Sequence, residues 1–581
     1  LFLLGGPMID VEQTLSLRFP AIAHQPALVR NRAFSVLKKW AYQEAVNSFL
    51  ILNQDKKNID FIDAVFDYFD FSYSVSAKDK AHIPAEGRVV VIANHPIGTL
   101  DGLALLRLIS EVRKDVKVVA NDRLSVMAPL NDLMIPIDKM ASSSAFNVFK
   151  KVRDALEHEQ AVVVFPAGAV SRAGPSGVKD GAWLPGFLHF ARKAHAPILP
   201  VHIQAKNSLL FYGASLFFKS LGTALLPREM FKQQSRTLRF SVGELIAPTS
   251  LLTDKLRDKT LVKRIKKHVY QLGKNKKSPF LTVKTIAHPE PRADLQTEFK
   301  QAELLGTTRD GNCIYLVAYQ QSPTIMREIG RLREVAFRRV GEGTGAKCDL
   351  DRFDKIYQHL VLWDRENLKI AGAYRIAPGR TIMDKYGVQG FYTQSLYTFK
   401  PELEHYLKNG IELGRSFVNP EYWGKASLDY LWQGIGAYLV RYPARYLFGP
   451  VSMSADYPRE LMNILVYFYL RYYGFDGGRD WVVAHLPYHL SPEAIAVCEA
   501  LFLTQNAEQA LAVMQAEFTK KGFKLPVLFK QYMAIYEPGG FSALAFSVDP
   551  DFGDCLDGFC MADLTKLKEN KRKRYMKDVS A

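Results

Sequence analysis

A chain of 581 residues is too long for one small module and, at roughly 100 to 200 residues per domain, carries more than one core. Its 48% hydrophobic and 23% charged residues are those of an ordinary globular protein, which excludes global disorder and fibrous repeats. The net charge of +17 is lopsided: residues 1–300 hold 42 basic and 27 acidic side chains, residues 301–581 hold 34 and 32.

Within the basic half, residues 251–280 hold ten basic and two acidic residues, including LVKRIKKHVYQLGKNKK. Such a stretch predicts a surface facing nucleic acid, anionic lipid headgroups or an acidic carrier protein. The five cysteines (Cys313, Cys348, Cys498, Cys555, Cys560) are scattered and form no CxxC pair. That usage fits a reducing compartment without structural disulfides or zinc. A membrane-spanning helix needs about 20 mostly apolar residues, whereas the longest charge-free run, 311–326, contains two Gln, a Ser and a Pro. The opening LFLLGGPM lacks the basic stretch of a signal peptide, so a natural start at Met8 and a cytoplasmic location are expected.

From 8 to 85, apolar residues recur at three- and four-residue spacing through AFSVLKKWAYQEAVNSFLIL and FIDAVFDYFDFSY, predicting accessory helices. From 86 to 285, strand-like runs alternate with helical stretches: RVVVIAN, LALLRLISEV, VKVVAND, FNVFKKVRDALEH, AVVVFPAG, FLHFARKAH and APILPVHI. This alternation is that of an α/β domain. IAHPEPRADLQ mixes prolines and charges, and 286–299 is expected to be a linker. A second α/β pattern covers 300–560, with strands expected at CIYLVAY, NLKIAGAYRI, GFYTQSLYTF, IELGRSFV and YLFGPVS. Residues 561–581, with KENKRKRYMKD, are expected to be a solvated basic tail.

RVVVIANHPIGTLDGLALL places Asn94, His95 and Pro96 directly after a strand and Asp101 in the first turn of a helix. Histidine is suited to take a proton from a hydroxyl near neutral pH, and a carboxylate beside it fixes the tautomer. AVVVFPAGAVSR then supplies Gly168, Ser171 and Arg172 after a second strand, and APILPVHI a third strand. In this order the blocks resemble the glycerolipid acyltransferase family over about residues 30–250. The resemblance implies His95 as general base, Asp101 as its partner, and acceptor binding by Asn94, Gly168, Ser171 and Arg172. Five residues rather than the usual four separate His95 from Asp101, and Ala167 stands where the family has Glu. Both departures, in NHPxGxxDG and FPAGxxSR, resemble the hemolysin-like, ornithine-lipid branch and imply a different acceptor. The apolar segment 207–226 is either a buried helix or a segment lying in the bilayer interface beside 251–280. No nucleic-acid module accompanies the basic stretch.

Farther on, RLREVAFRRV puts Arg333 and Phe337 on one helix face. Asp351 and Asp354 follow, then Arg375, then Glu412 and Arg415 in ELGRSFV. The series resembles the acyl-homoserine-lactone synthases and, more closely, the ornithine N-acyltransferases, over about 300–550. That resemblance implies a GNAT-like fold, Glu412 as base for the acceptor amine with Arg415 keeping it ionised, and an acceptor held by Arg333, Phe337, Asp351, Asp354, Arg375 and Arg415. FKLPVLFKQY and VDPDFGDCLDG follow the pattern loosely.

The expected fold class is α/β in two domains, an acyltransferase-type α/β domain with N-terminal accessory helices and a GNAT-like α/β domain. Sequential chemistry is implied: N-acylation of ornithine with a 3-hydroxyacyl group, then O-acylation of the lyso-ornithine lipid. Expected donors are acyl carrier protein (ACP) or CoA thioesters, with no bound cofactor and no metal. Expected partners are acyl carrier protein and an anionic inner-membrane surface, bound peripherally, and not nucleic acid. The alternatives are glycine or glutamine as acceptor, and a non-enzymatic hemolysin-like membrane-binding protein.

Overall fold

The computed structural model describes residues 12, 27–40, 42–121, 128–137, 144–175, 177–217, 225–252, 257–274, 276–475, 478, 480–503 and 506–576. The chain divides into two compact units, Leu1–His288 and Pro289–Ala581.

In the first unit the strands are β1 (Ser72–Ser74), β2 (Val89–Ala93), β3 (Val116–Asn121), β4 (Met134–Ile137), β5 (Ala161–Val164), β6 (Arg172–Gly174), β7 (Gly177–Lys179), β8 (Ile198–Gln204), β9 (Thr237–Val242), β10 (Leu245–Ile246) and β11 (Thr282–Val283). The main sheet runs β1-β9-β8-β2-β5-β3-β4, with β2, β3, β4, β5 and β8 parallel to one another. Parallel strands are buried on both faces, which accounts for the unbroken apolar run VVVIA. Val89, Val91 and Ala93 face a core shared with the helices Asn58–Phe69 and Thr99–Ser110. Val90 and Ile92 face the opposite core, shared with Ser144–Glu157, Gly186–Lys193 and Asp258–Leu272.

The helices expected over 8–85 pack into the first core where they are described, residues 8–11, 13–26 and 41 lying outside the described residues. Phe61 and Ile62 of Asn58–Phe69 are buried in the first core, and β1 pairs with β9 at the edge of the sheet. Within the apolar segment 207–226, the helix Leu209–Phe217 buries Phe211 and Tyr212 against Val170 and Leu225 but leaves Leu209 89% exposed; residues 218–224 lie outside the described residues. Among the described residues no helix is long and apolar enough to cross a membrane.

The second unit contains β12 (Glu303–Thr307), β13 (Cys313–Ala318), β14 (Gln358–Asp364), β15 (Lys369–Pro378), β16 (Tyr397–Phe399), β17 (Gly410–Val418), β18 (Tyr446–Met453), β19 (Val482–Ala484), β20 (Phe541–Asp549) and β21 (Cys555–Asp563). Its main sheet runs β12-β13-β14-β15-β17-β18-β21-β20. Every neighbouring pair is antiparallel except β17 and β18, which are parallel. Their register stops at Glu412↔Phe448, beyond which β17 stays with β15 and β18 with β21. At the point of divergence a Cβ on Gly449 would lie 2.1 Å from the Leu413 carbonyl oxygen, so only glycine allows the approach.

Three expectations change here. The segment 286–299 contains the helix Arg292–Phe299, whose Leu295 and Phe299 are buried in the second unit, with the Phe299 ring 4.4 Å from Trp363. Residues 561–563 end β21, and the helix Glu569–Tyr575 is tied down by Arg574 on Asp429 at 2.8 Å, so the solvated tail is shorter than expected. GFYTQSLYTF is not one strand: it holds the short 3-10 turn Tyr392–Ser395 followed by β16.

Candidate functional site

In an open α/β sheet the loops at the carboxyl ends of the strands form the ligand crevice, and His95 lies two residues beyond β2. Asn94, expected to bind substrate, is 2% exposed and turned inward. Its amide donates to the Ile203 carbonyl at 2.9 Å and accepts the Ile203 N–H at 2.7 Å, clasping β2 to β8. The chain then turns through Gly98 at φ +109°, a conformation that a side chain disfavours. One Asp101 oxygen accepts the N–H groups of Ile97 and Gly98 at 2.8 and 3.2 Å. The other lies 2.7 Å from His95 Nδ1. The five-residue spacing thus gives Asp101 both a helix cap and an imidazole.

The His95 ring lies 4.4 Å from that of Phe165 and its side chain is 19% exposed. Burial opposes charging of this imidazole, but the charge and hydrogen bond of Asp101, with the charge of Asp180 added, outweigh it and raise the pKa. With Nδ1 turned to Asp101, Nε2 is the nitrogen left to take a proton.

The loop after β5 braces this arrangement. Ser171 donates its N–H to the His95 carbonyl at 2.7 Å and its hydroxyl to Asp180. It is 2% exposed and braces the histidine loop from within. Gly168 is exposed in a left-handed turn (φ +60°) with open space around it. Arg172, partly buried, donates to Ser215 Oγ at 2.7 Å, and its guanidinium lies 5.7 Å from the Phe211 ring centre. Asp180 escaped the sequence reading. The available signal is its isolation, because it is the only acidic residue between Glu159 and Glu229.

In the second unit Arg333, Asp351, Asp354, Arg375 and Arg415 come together with Asp349. Arg333 and Arg375 are fully buried. Arg333 donates to Asp354 at 2.8 Å and Arg375 to both Asp351 oxygens at 2.7 Å. Asp351 and Asp354 also cap each other's end of the turn Arg352–Lys355. Burial disfavours the Asp354 charge, yet Arg333 and Arg375 hold its pKa well below the usual carboxylate range. Burial and Arg333 press His359 down to about 3, leaving it neutral. Arg415 lies 3.4 Å from Asp349, with Tyr392 and Phe552 beneath its guanidinium at 4.9 and 4.4 Å. Phe337 packs edge-on against Phe552 at 4.9 Å. The rings of Phe353, Tyr357 and Tyr392 surround Arg375 at 5.0 to 5.8 Å, offering π faces to its remaining N–H groups.

Glu412 is 1% exposed and accepts the Thr393 N–H at 2.8 Å, the Thr393 hydroxyl at 2.6 Å, the Tyr392 N–H at 3.1 Å and the Tyr357 hydroxyl. These bonds are why Tyr392 and Thr393 form a turn: their N–H groups serve a carboxylate and not a ladder. Burial raises the Glu412 pKa despite them, and the guanidinium favouring its charge is that of Arg375. Arg415, expected in that role, stands on Asp349.

A further acidic group was missed because its members are split between β20, β21 and the 341–342 turn. The Tyr392 hydroxyl donates to Asp549 at 3.0 Å, and Asp557 accepts from Ser452 and Cys555. Glu342 is pushed up to about 7 by burial and by Asp557, against the pull of Arg415. Burial likewise pushes Asp557 up to about 7, whereas in an unfolded chain it titrates near about 4. Between those values the unfolded chain ionises while the folded chain keeps its proton, so stability falls as pH rises through this window. Asp557→Asn lacks the charge. Its melting temperature relative to the parent should therefore rise by a few degrees from pH 4 to pH 8, whereas a difference independent of pH would mean that Asp557 is ionised.

Residues 15–278 match the family model described as Acyltransferase, and residues 332–433 match that of the Acetyltransferase (GNAT) domain. The chain is 31% identical over 306 residues to a glycine N(alpha)-acyltransferase of Phocaeicola vulgatus, covering 50% of this chain and 92% of that relative. It is 30% identical over 246 residues to a lyso-glycine lipid O-acyltransferase of Bacteroides thetaiotaomicron, covering 41% and 88%. An L-ornithine N(alpha)-acyltransferase of Brucella abortus is 29% identical over 238 residues, covering 38% and 75%. The chain belongs to the family of these amino-acid N-acyltransferases and lyso-lipid O-acyltransferases, and is an acyltransferase with an acyltransferase-type domain followed by a GNAT-like domain.

Proposed function

We propose that the chain builds a diacylated aminolipid in two steps, N-acylation in the second unit and O-acylation in the first. The observation that carries this reading is the presence, on one chain, of similarity to both kinds of acyltransferase. In the second unit an amino acid's α-amine would attack the carbonyl carbon of a 3-hydroxyacyl thioester and lose a proton to Glu412, which would pass it to the thiolate as the C–S bond breaks. The donor, an acyl-ACP or acyl-CoA thioester, would lie where β17 and β18 diverge and make no ladder to each other. In the first unit the new lipid's 3-hydroxyl would pass its proton to His95 Nε2 as it attacks a second acyl thioester, and Nε2 would return that proton to the thiolate leaving from it.

For the acceptor, the buried carboxyl cluster of Glu342, Asp549 and Asp557, which a bound cation would ionise, supports cationic ornithine, whereas the glycine-acylating relatives support glycine. Incubating the purified chain with each amino acid and a 3-hydroxyacyl thioester separates the two. The exposed residues Lys259, Lys263 and Lys267 support peripheral docking on an anionic surface.

Glu412→Gln keeps size but loses basicity, so N-acylation should fall by about 10²- to 10⁴-fold; unchanged lyso-lipid formation would remove Glu412 from the chemistry. A host making His95→Ala should accumulate mono-acylated lyso-aminolipid by mass spectrometry, and normal diacyl lipid would overturn the assignment of the first unit. Co-sedimentation with anionic vesicles should weaken with salt, since screening acts over about 8 Å at physiological ionic strength. Equal binding to neutral vesicles at every salt concentration would refute the docking surface.

A further inference from the structure

We infer that Asp180 is the positioning residue of the O-acylation site, holding His95 in place through the backbone; the inference rests on the reading of His95 as the base of that site. Asp180 is 5% exposed and every polar group it carries is engaged. One carboxylate oxygen accepts the His95 N–H at 3.2 Å and the Ser171 hydroxyl. The other accepts the Trp183 indole N–H at 2.9 Å. Its own N–H donates to the Tyr270 hydroxyl at 2.8 Å, and its carbonyl accepts the Lys266 ammonium at 2.6 Å. One residue therefore joins the loop after β2, the loop after β5 and the helix Asp258–Leu272.

Asp101 sets which nitrogen of His95 takes the proton, and Asp180 sets where the residue sits. A displacement of about 1 Å at a reacting group can cost about a hundredfold in rate, so the backbone anchor matters as much as the tautomer. Two carboxylates act electrostatically on His95, Asp101 and Asp180. Around Asp180 itself lie Lys266, Tyr270 and His202, with Lys179 above the Tyr270 ring.

The test uses the full chain and measures O-acylation of supplied lyso-aminolipid against pH, with calorimetric melting as the control for folding of the first unit and N-acylation as the control for the second. Asp180→Asn keeps the shape but removes the charge. Its kcat should fall by about tenfold to a hundredfold, with KM for the lyso-lipid nearly unchanged and N-acylation intact. Because Asp180 favours the charged imidazole, the acid limb of kcat/KM should move to lower pH. Asp180→Glu should bring that limb back toward its original position. Tyr270→Phe leaves the carboxylate in place but frees the Asp180 N–H, and should lower kcat without moving the limb. It keeps the inference testable if Asp180→Asn unfolds the first unit. Wild-type kcat and pH profile in Asp180→Asn, or wild-type kcat in Tyr270→Phe where Asp180→Asn does not fold, would overturn the role of Asp180 alone. Full O-acylation by His95→Ala would overturn the reading of the site and this inference together.

Discussion

Asp101 is completely buried, and a carboxylate removed from water must find its hydrogen bonds inside the fold or give up its charge. Here the partners are the two N–H groups of the turn that it caps and the imidazole that it faces. Each charge-assisted hydrogen bond contributes about 1.5 to 3 kcal/mol, comparable to the penalty for leaving the group unsatisfied. The turn, the helix start and the histidine orientation are therefore one solution to one burial problem. Asp180 extends it, since its own hydrogen bonds come from the histidine loop, Ser171 and Trp183.

The same constraint organises the second unit with a different outcome. Asp354 meets guanidinium groups and keeps its charge, whereas Asp557 accepts hydrogen bonds from a hydroxyl and a thiol and rises toward neutrality. Glu412 falls between these cases. Four neutral donors hold it, and those donors also fix the loop that supplies them. A buried charge in this protein thus acts as a fastener for irregular backbone, and it does so beside both candidate sites.

What the sequence made legible was local. The valine runs of β2 and β5 identify buried parallel strands, and His95 and Asp101 lie two and eight residues beyond the first of them. Asp180 was not legible because its partner His95 is 85 residues away. GFYTQSLYTF alternates like a strand, but a carboxylate on β17 captures its N–H groups, a tertiary effect that no period reveals. The helix Arg292–Phe299 was hidden by the prolines before it, which mark its beginning and not the continuation of a linker. FIDAVFDYF showed an amphipathic helix correctly, but not that its apolar side would meet the central sheet.

The parallel pairing of β17 and β18 also has a mechanical consequence for the second unit. Three residue pairs, Gly410↔Tyr446 to Glu412↔Phe448, carry the hydrogen-bond ladder between a five-stranded antiparallel block and a three-stranded one. Everywhere else in that sheet neighbouring strands share longer registers. Backbone pairing therefore makes each block cooperative within itself and only weakly couples one to the other. Side chains carry the remaining coupling, among them Leu413, Leu447 and Val451 in one apolar core and Ala377, Phe448 and Phe559 in another. A sheet jointed in this way can widen at one seam without losing register on either side of it.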